Sequence, residues 1–189
     1  AGPHLPEVGR MLGIELPVYH ELHQKRALRD VQAILPRNAP LVIWSDPQRL
    51  DWSEEERGFL EDDEDCRPLL GELPSGLHTR PDGGPDSPII LVLWEYHTRR
   101  MPPTYPLPED PLYPDVLLRG LPAMIPGMRT YINKSSRPRV DGGYYTRTPE
   151  NRPLIGKLPL DGAFIIGALS GFGLMAACAA GELLAAHIC

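Results

Sequence analysis

The chain has 189 residues, of which 42% are apolar and 23% charged, and its formal net charge is −6. That length buries one sizeable core or two small ones, and the composition is that of an ordinary globular protein. A negative balance without a basic stripe argues against non-specific binding to nucleic acid, and 23 prolines predict long loops and few helices.

Cys66, Cys178 and Cys189 fit no zinc or redox spacing, and their odd number argues against a disulfide framework. The expectation is a reducing compartment and a cytoplasmic protein without a metal. No signal pattern opens the chain. It begins Ala1-Gly2-Pro3-His4, which reads as a continuation of something earlier.

In chain order, residues 5–13 predict a short helix with Leu5, Val8, Met11 and Leu12 on one face and Gly13 as its stop. Residues 17–28 alternate as a strand. His20 and His23 lie on it three apart, so they face opposite sides and read as ordinary histidines. Residues 41–44 predict a short buried strand. Ser53, followed three residues later by Glu56, is a capping box that starts a helix. The acidic run at 61–65 lacks the alternation and glycine of a calcium loop and reads as a solvated face.

Residues 76–80 and 87–96 predict two strands joined by the turn Pro81-Asp82-Gly83-Gly84-Pro85-Asp86. The second strand is almost wholly apolar, so it is expected to be central and covered on both faces. Trp94 at its end reads as core. Tyr96 and His97 are candidates for lining a substrate cavity. The Pro-rich stretch 99–114 predicts an ordered surface loop. Residues 115–125 have helical spacing, interrupted by Pro122. Lys134, Arg137 and Arg139 form a basic patch.

The last third carries the strongest signal. Phe164-Ile165-Ile166-Gly167 is a strand, Ala168-Leu169-Ser170-Gly171-Phe172-Gly173 a glycine turn, and the small apolar residues beyond it a helix. Gly171 and Gly173 let a flat ligand approach the backbone. The free N–H groups at the helix start favour an anion or a partly negative ring edge. Residues 162–181 hold no charge and match a bilayer in length, but the run is broken by Ser170-Gly171 and has no basic flank. A buried strand and a buried helix explain the same residues. The bland reading of the turn is that it only packs strand against helix. No glycine-rich dinucleotide fingerprint occurs in the chain.

Three segments together resemble the FAD-dependent amine and amino-acid oxidoreductases of the D-amino-acid-oxidase-like superfamily, of the sarcosine oxidase, glycine oxidase and dimethylglycine dehydrogenase types. They are Ala1-Gly2-Pro3; Tyr145-Thr146-Arg147-Thr148-Pro149-Glu150 with Pro153-Leu154-Ile155-Gly156; and Gly167 to Met175 with Gly181-Glu182-Leu183-Leu184. The resemblance implies a carboxy-terminal half whose partner is the missing amino-terminal dinucleotide fold. It implies an α+β fold: a mixed, largely antiparallel substrate-domain sheet with flanking helices, plus the last part of an FAD-binding domain. The expected division is 1–16 and 141–189 for the flavin domain and 17–140 for the substrate domain.

The implied cofactor is FAD, held by Ala1, Gly2, Gly143, Ser170, Gly171, Phe172, Gly173, Leu174 and Met175. The implied reaction is oxidation of the C–N bond of a secondary or primary amine or an amino acid, with a larger or less acidic amine left open as substrate, dioxygen or an electron-transfer partner as final acceptor, and no membrane. Gly143 stands where some members carry the cysteine that attaches flavin, which implies a non-covalent cofactor. Met175 stands at the carboxylate-gripping lysine of sarcosine oxidases, and Tyr145 at the gripping arginine of glycine-oxidase-like members. Tyr145 and Arg147 share a strand face. Two readings of Arg147 stand: a substitute carboxylate ligand, or a surface arginine paired with Glu150. The alternative for the whole chain is a truncated relative that acts as a binding module without redox chemistry.

Overall fold

The computed structural model describes residues 2–108, 110–134 and 139–189. Ala1 and Arg137 lie outside the described residues. The chain is α+β: a five-stranded antiparallel sheet, a two-stranded hairpin and four α-helices among the described residues. It divides into two compact units. One comprises Ala1–His23, Thr98–Pro108 and Gly143–Cys189; the other comprises Gln24–His97 and Glu109–Gly142.

The large sheet has strands β1 (Tyr19–Arg29), β2 (Val42–Ile43), β3 (His78–Pro81), β4 (Ile89–Leu93) and β5 (Arg139–Arg147), in the order β2-β3-β4-β1-β5. β4 pairs antiparallel with β1 from Lys25 opposite Leu93 to Arg29 opposite Ile89, and with β3 from His78 opposite Leu93. The predicted turn between β3 and β4 is present, closed by the Asp82 amide donating to the Ile89 carbonyl, with Gly83 at φ +80.

β4 is central in strand order, but only one of its faces is sealed. Ile90 and Val92 are fully buried, whereas Ile89, Leu91 and Leu93 are half-buried. Helices cover one side of the sheet and a cleft lies against the other, so an apolar run does not require cover on both faces. The buried strand predicted at 41–44 is an edge strand of two residues, with Leu41 and Ile43 exposed.

The core of the second unit collects Leu28, Leu77, Ile90, Val92, Trp94, Val116, Leu117, Leu121 and Met128. Helix α2 (Glu54–Asp62) starts at the predicted capping box: Ser53 Oγ accepts from the Glu56 amide and Glu56 Oε2 accepts from the Ser53 amide at 2.8 Å. Ser53→Ala is expected to destabilise this unit by about 1 kcal/mol, read by urea unfolding. All three tryptophans (Trp44, Trp52, Trp94) lie in this unit, so their fluorescence reports on it alone.

Helix α3 (Tyr113–Gly120) begins two residues before the predicted start, and Pro114 sits in its first turn, where a missing N–H costs nothing. Pro122 does not kink a continuous helix. It opens a separate 3₁₀ turn, Leu121–Ala123, and a second one follows at Pro126–Tyr131. Asp30 is buried and satisfied, accepting from the Ile34 and Leu35 amides and, at 2.6 Å, from the Tyr131 hydroxyl.

In the first unit, helix α1 (Leu5–Met11) buries Leu5 and Gly9. Val8, Met11 and Leu12, predicted on the same packed face, are exposed. The hairpin of β6 (Leu154–Lys157) and β7 (Phe164–Gly167) pairs Leu154 with Gly167, and Leu5 packs where a side chain on Gly167 would stand.

Helix α4 (Gly173–Ile188) follows the glycine turn as expected. It is not the buried helix that its composition suggests. Only Ala180 is buried, while Leu174, Met175, Leu183 and Ile188 are exposed. A two-stranded hairpin can cover one face of a helix, and none of the described residues of the same unit buries the other. No helix among the described residues is long and apolar enough to cross a membrane.

Candidate functional site

The site grows from two strands and one turn of the first unit. Residues 19–23 of β1 and 143–147 of β5 place Glu21, His23, Tyr145 and Arg147 together. The His23 and Tyr145 rings stack at 3.8 Å between centroids, 12° from parallel. Glu21 Oε2 lies 3.0 Å from Arg147 Nε and 3.3 Å from His23 Nε2. Arg147 also approaches the Tyr145 ring at 6.0 Å. Tyr145 and Arg147 therefore do share a face. The carboxylate at Arg147 is Glu21, which is mostly buried, and Glu150 is an exposed residue of the following turn. Sequence reasoning passed over Glu21 and treated His23 as ordinary. Nothing local marks either one, because their roles depend on which strand β1 pairs with.

His20 and His23 face opposite sides, as the strand spacing requires. His20 is buried on the other face, with Nδ1 3.1 Å from Thr146 Oγ1. Burial, with a smaller contribution from the charge of His4, holds the His20 pKa below its usual 6.5. Between that lowered value and 6.5 the unfolded chain binds the extra proton. Stability is thus full above pH 6.5 and falls as the pH drops through this window. The melting temperature is expected to decline there, and His20→Gln to flatten the decline in a pH series of thermal melts.

The turn from β7 into α4 is held in strained backbone. Ala168 (φ 54), Ser170 (φ 49) and Gly171 (φ +83) all occupy the left-handed region, as does the neighbouring Asn151 (φ 52). Ala168 and Ser170 are buried. Ser170 Oγ donates to Asn151 Oδ1 at 2.8 Å, and its amide donates to the Thr146 carbonyl, so two outside segments clamp the turn. Such strain persists only where surrounding contacts enforce it, and it collects at functional sites.

A Cβ built on Gly171 would stand 2.4 Å from the Tyr145 ring. The flat group lying against this glycine is thus the protein's own tyrosine, which joins the turn to the Glu21–His23–Arg147 cluster. At the start of α4 the amides of Gly173, Leu174 and Met175 have no backbone acceptor among the described residues. Phe172, Leu174 and Met175 project outward, 58%, 94% and 76% exposed. Gly143 lies on the same strand face as Tyr145 and Arg147, with no atom within 4 Å of where a side chain would begin. Gly2 is exposed at φ +50 in a 3₁₀ turn ahead of α1.

Tyr96 and His97 belong to the other unit. Their rings stack at 4.1 Å, and both reach Asp110: the Tyr96 hydroxyl at 3.2 Å and His97 Nε2 at 3.0 Å. The His97 contact is the main reason the Asp110 carboxyl is held below its usual range, and burial drives the Tyr96 phenol well above its own. Trp94 is core, as expected: it is 1% exposed and its Nε1 donates to the Pro74 carbonyl.

The architecture is that of a known fold. No family model matches the chain, and no curated protein sequence does. Among solved structures, glycine oxidase from Geobacillus kaustophilus matches over 100% of this chain at 16% identity and TM-score 0.58. L-proline dehydrogenase from P. horikoshii matches over 100% at 19% identity and TM-score 0.61. Glycine oxidase from Bacillus cereus matches over 90% at 12% identity and TM-score 0.53. The chain spans about 40% of the length of the first two and 36% of the third. The fold is therefore one that these amino-acid oxidoreductases contain as part of a longer chain, in agreement with the resemblance read from the sequence.

Proposed function

We propose that this chain forms the flavin-facing and substrate-facing parts of an FAD-dependent oxidoreductase that oxidises the C–N bond of an amine or amino acid. The observation that carries the reading is the match of the whole chain to glycine oxidase and L-proline dehydrogenase. The clamped turn and open helix start described above support it.

The residues present suit the cofactor. The free amides of Gly173, Leu174 and Met175 can donate to the negatively polarised edge of a reduced ring system. The exposed Phe172, Leu174 and Met175 offer apolar contact, and no atom lies within 4 Å of where a Gly143 side chain would begin. Gly143 supplies no nucleophile, so FAD would be held non-covalently. When bound, FAD supplies the acceptor for the hydride that leaves the α-carbon of the substrate.

The chain's own residues bind and orient. Tyr145, held by His23 on one face and by the backbone of Gly171 at its edge, presents a fixed wall toward the substrate. Arg147 is the carboxylate-binding candidate, but Glu21 already balances its charge. A substrate carboxylate must displace Glu21 or share the guanidinium with it, which favours a neutral or weakly acidic amine over a small free amino acid. Dioxygen or an electron-transfer partner would reoxidise the cofactor.

The test is anaerobic mixing of the FAD-loaded protein with glycine, with L-proline and with their carboxyl-blocked amides. The expected result is amine-dependent bleaching of the yellow flavin band, faster with the amides. No bleaching by any amine from a protein with bound FAD would overturn the assignment.

A further inference from the structure

We propose that a cleft in the second unit binds a small dianion carrying an apolar body, with a phosphate monoester or a dicarboxylate as its head. The cleft has a volume of about 670 Å³ and lies against the face of the sheet that carries Ala27, Ile89 and Leu91, away from the buried Ile90 and Val92, within the range of small-molecule sites. Its floor is apolar: Ala27 and Leu91 sit directly across the β1–β4 pairing, with Ile89 beside them.

Its rim is cationic. Lys25, Arg29, Lys134 and Arg139 line it against only two carboxylates, Asp82 and Asp141. Both are already engaged, Asp82 by Arg80 at 2.8 Å and Asp141 by Lys25 at 3.3 Å. Arg29, Lys134 and Arg139 have no carboxylate within ion-pair distance among the described residues. An excess of positive charge on a chain of net charge −6 is thus concentrated around an apolar floor.

Solvated surface lysines and arginines would need no such floor, and an apolar contact surface would need no such rim. A guanidinium pair matches the geometry of phosphate and carboxylate oxygens. The half-buried leucine, isoleucine and alanine surface would gain from covering by the ligand body. The site lies wholly within one unit and stands apart from the flavin reading, so either can fail alone.

The test is calorimetric titration of the full chain with phenyl phosphate, phenylsuccinate, inorganic phosphate and benzyl alcohol. Saturable binding is expected for phenyl phosphate, phenylsuccinate or both, at least about tenfold tighter than for inorganic phosphate and absent for benzyl alcohol. The tighter of the two anions identifies the head group. Arg29→Gln combined with Arg139→Gln, both exposed positions, should weaken binding about tenfold or more. Arg10→Gln combined with Arg49→Gln, outside the cleft, should leave it unchanged. If inorganic phosphate binds as tightly as the phenyl anions, or if the Arg29/Arg139 variant binds like the parent, the site is refuted.

Discussion

Trp94→Ala is expected to cost the second unit about 3–5 kcal/mol. The indole is 1% exposed, packs edge-on against Tyr96 at 5.5 Å, and anchors its ring nitrogen on the Pro74 carbonyl. It also fills the space over Gly120, where an added Cβ would stand 2.7 Å from the six-membered ring. Removing it leaves a cavity between β4 and α3 that neither can close, because Gly120 has no side chain to fill it. Urea unfolding followed through Trp44 and Trp52, which remain in the same unit, measures the loss. A cost below about 1 kcal/mol would mean that the core is not centred there.

Gly171→Ala should cost the first unit about 2–4 kcal/mol, from two sources that act together. A Cβ at φ +83 is strained in any surroundings. Here it also meets the Tyr145 ring at 2.4 Å, so Tyr145 must leave its stack on His23 or the turn must shift. Both consequences disturb the same cluster, so the variant is expected to lose any flavin-binding or amine-oxidising activity along with stability. Far-UV circular dichroism through a urea titration reads the stability. A variant as stable as the parent would show that the turn is free to move away from Tyr145.

The local signals in the sequence were legible where the physics is local. The Ser53–Glu56 capping box, the Gly83 turn and the strand–glycine–helix succession after Phe164 each depend on neighbours in the chain, and each is present. Burial was less legible. The apolar residues of α4 and of 41–44 read as core, yet they are largely exposed, because hydrophobicity states what a residue favours and not whether a partner stands opposite. The cluster around Arg147 was half legible. Strand alternation placed Tyr145 and Arg147 on one face, but Glu21 and His23 lie more than a hundred positions away and reach them only through pairing of β1 with β5. The Ser170–Asn151 clamp was hidden for a similar reason, since positive φ at a serine and an asparagine leaves no mark in composition.

The start of α4 and the face of Gly143 are the proposed place for a flavin. The most direct measurement is an FAD titration of the chain and of its Gly143→Leu variant, followed by visible absorption and flavin fluorescence. No atom lies within 4 Å of where the new Cβ would stand, and the leucine would occupy the space proposed for the ring. Saturable binding with a shifted flavin spectrum in the parent, lost in an equally stable Gly143→Leu variant, is the predicted result. An equally stable Gly143→Leu variant that binds FAD as the parent does would contradict it.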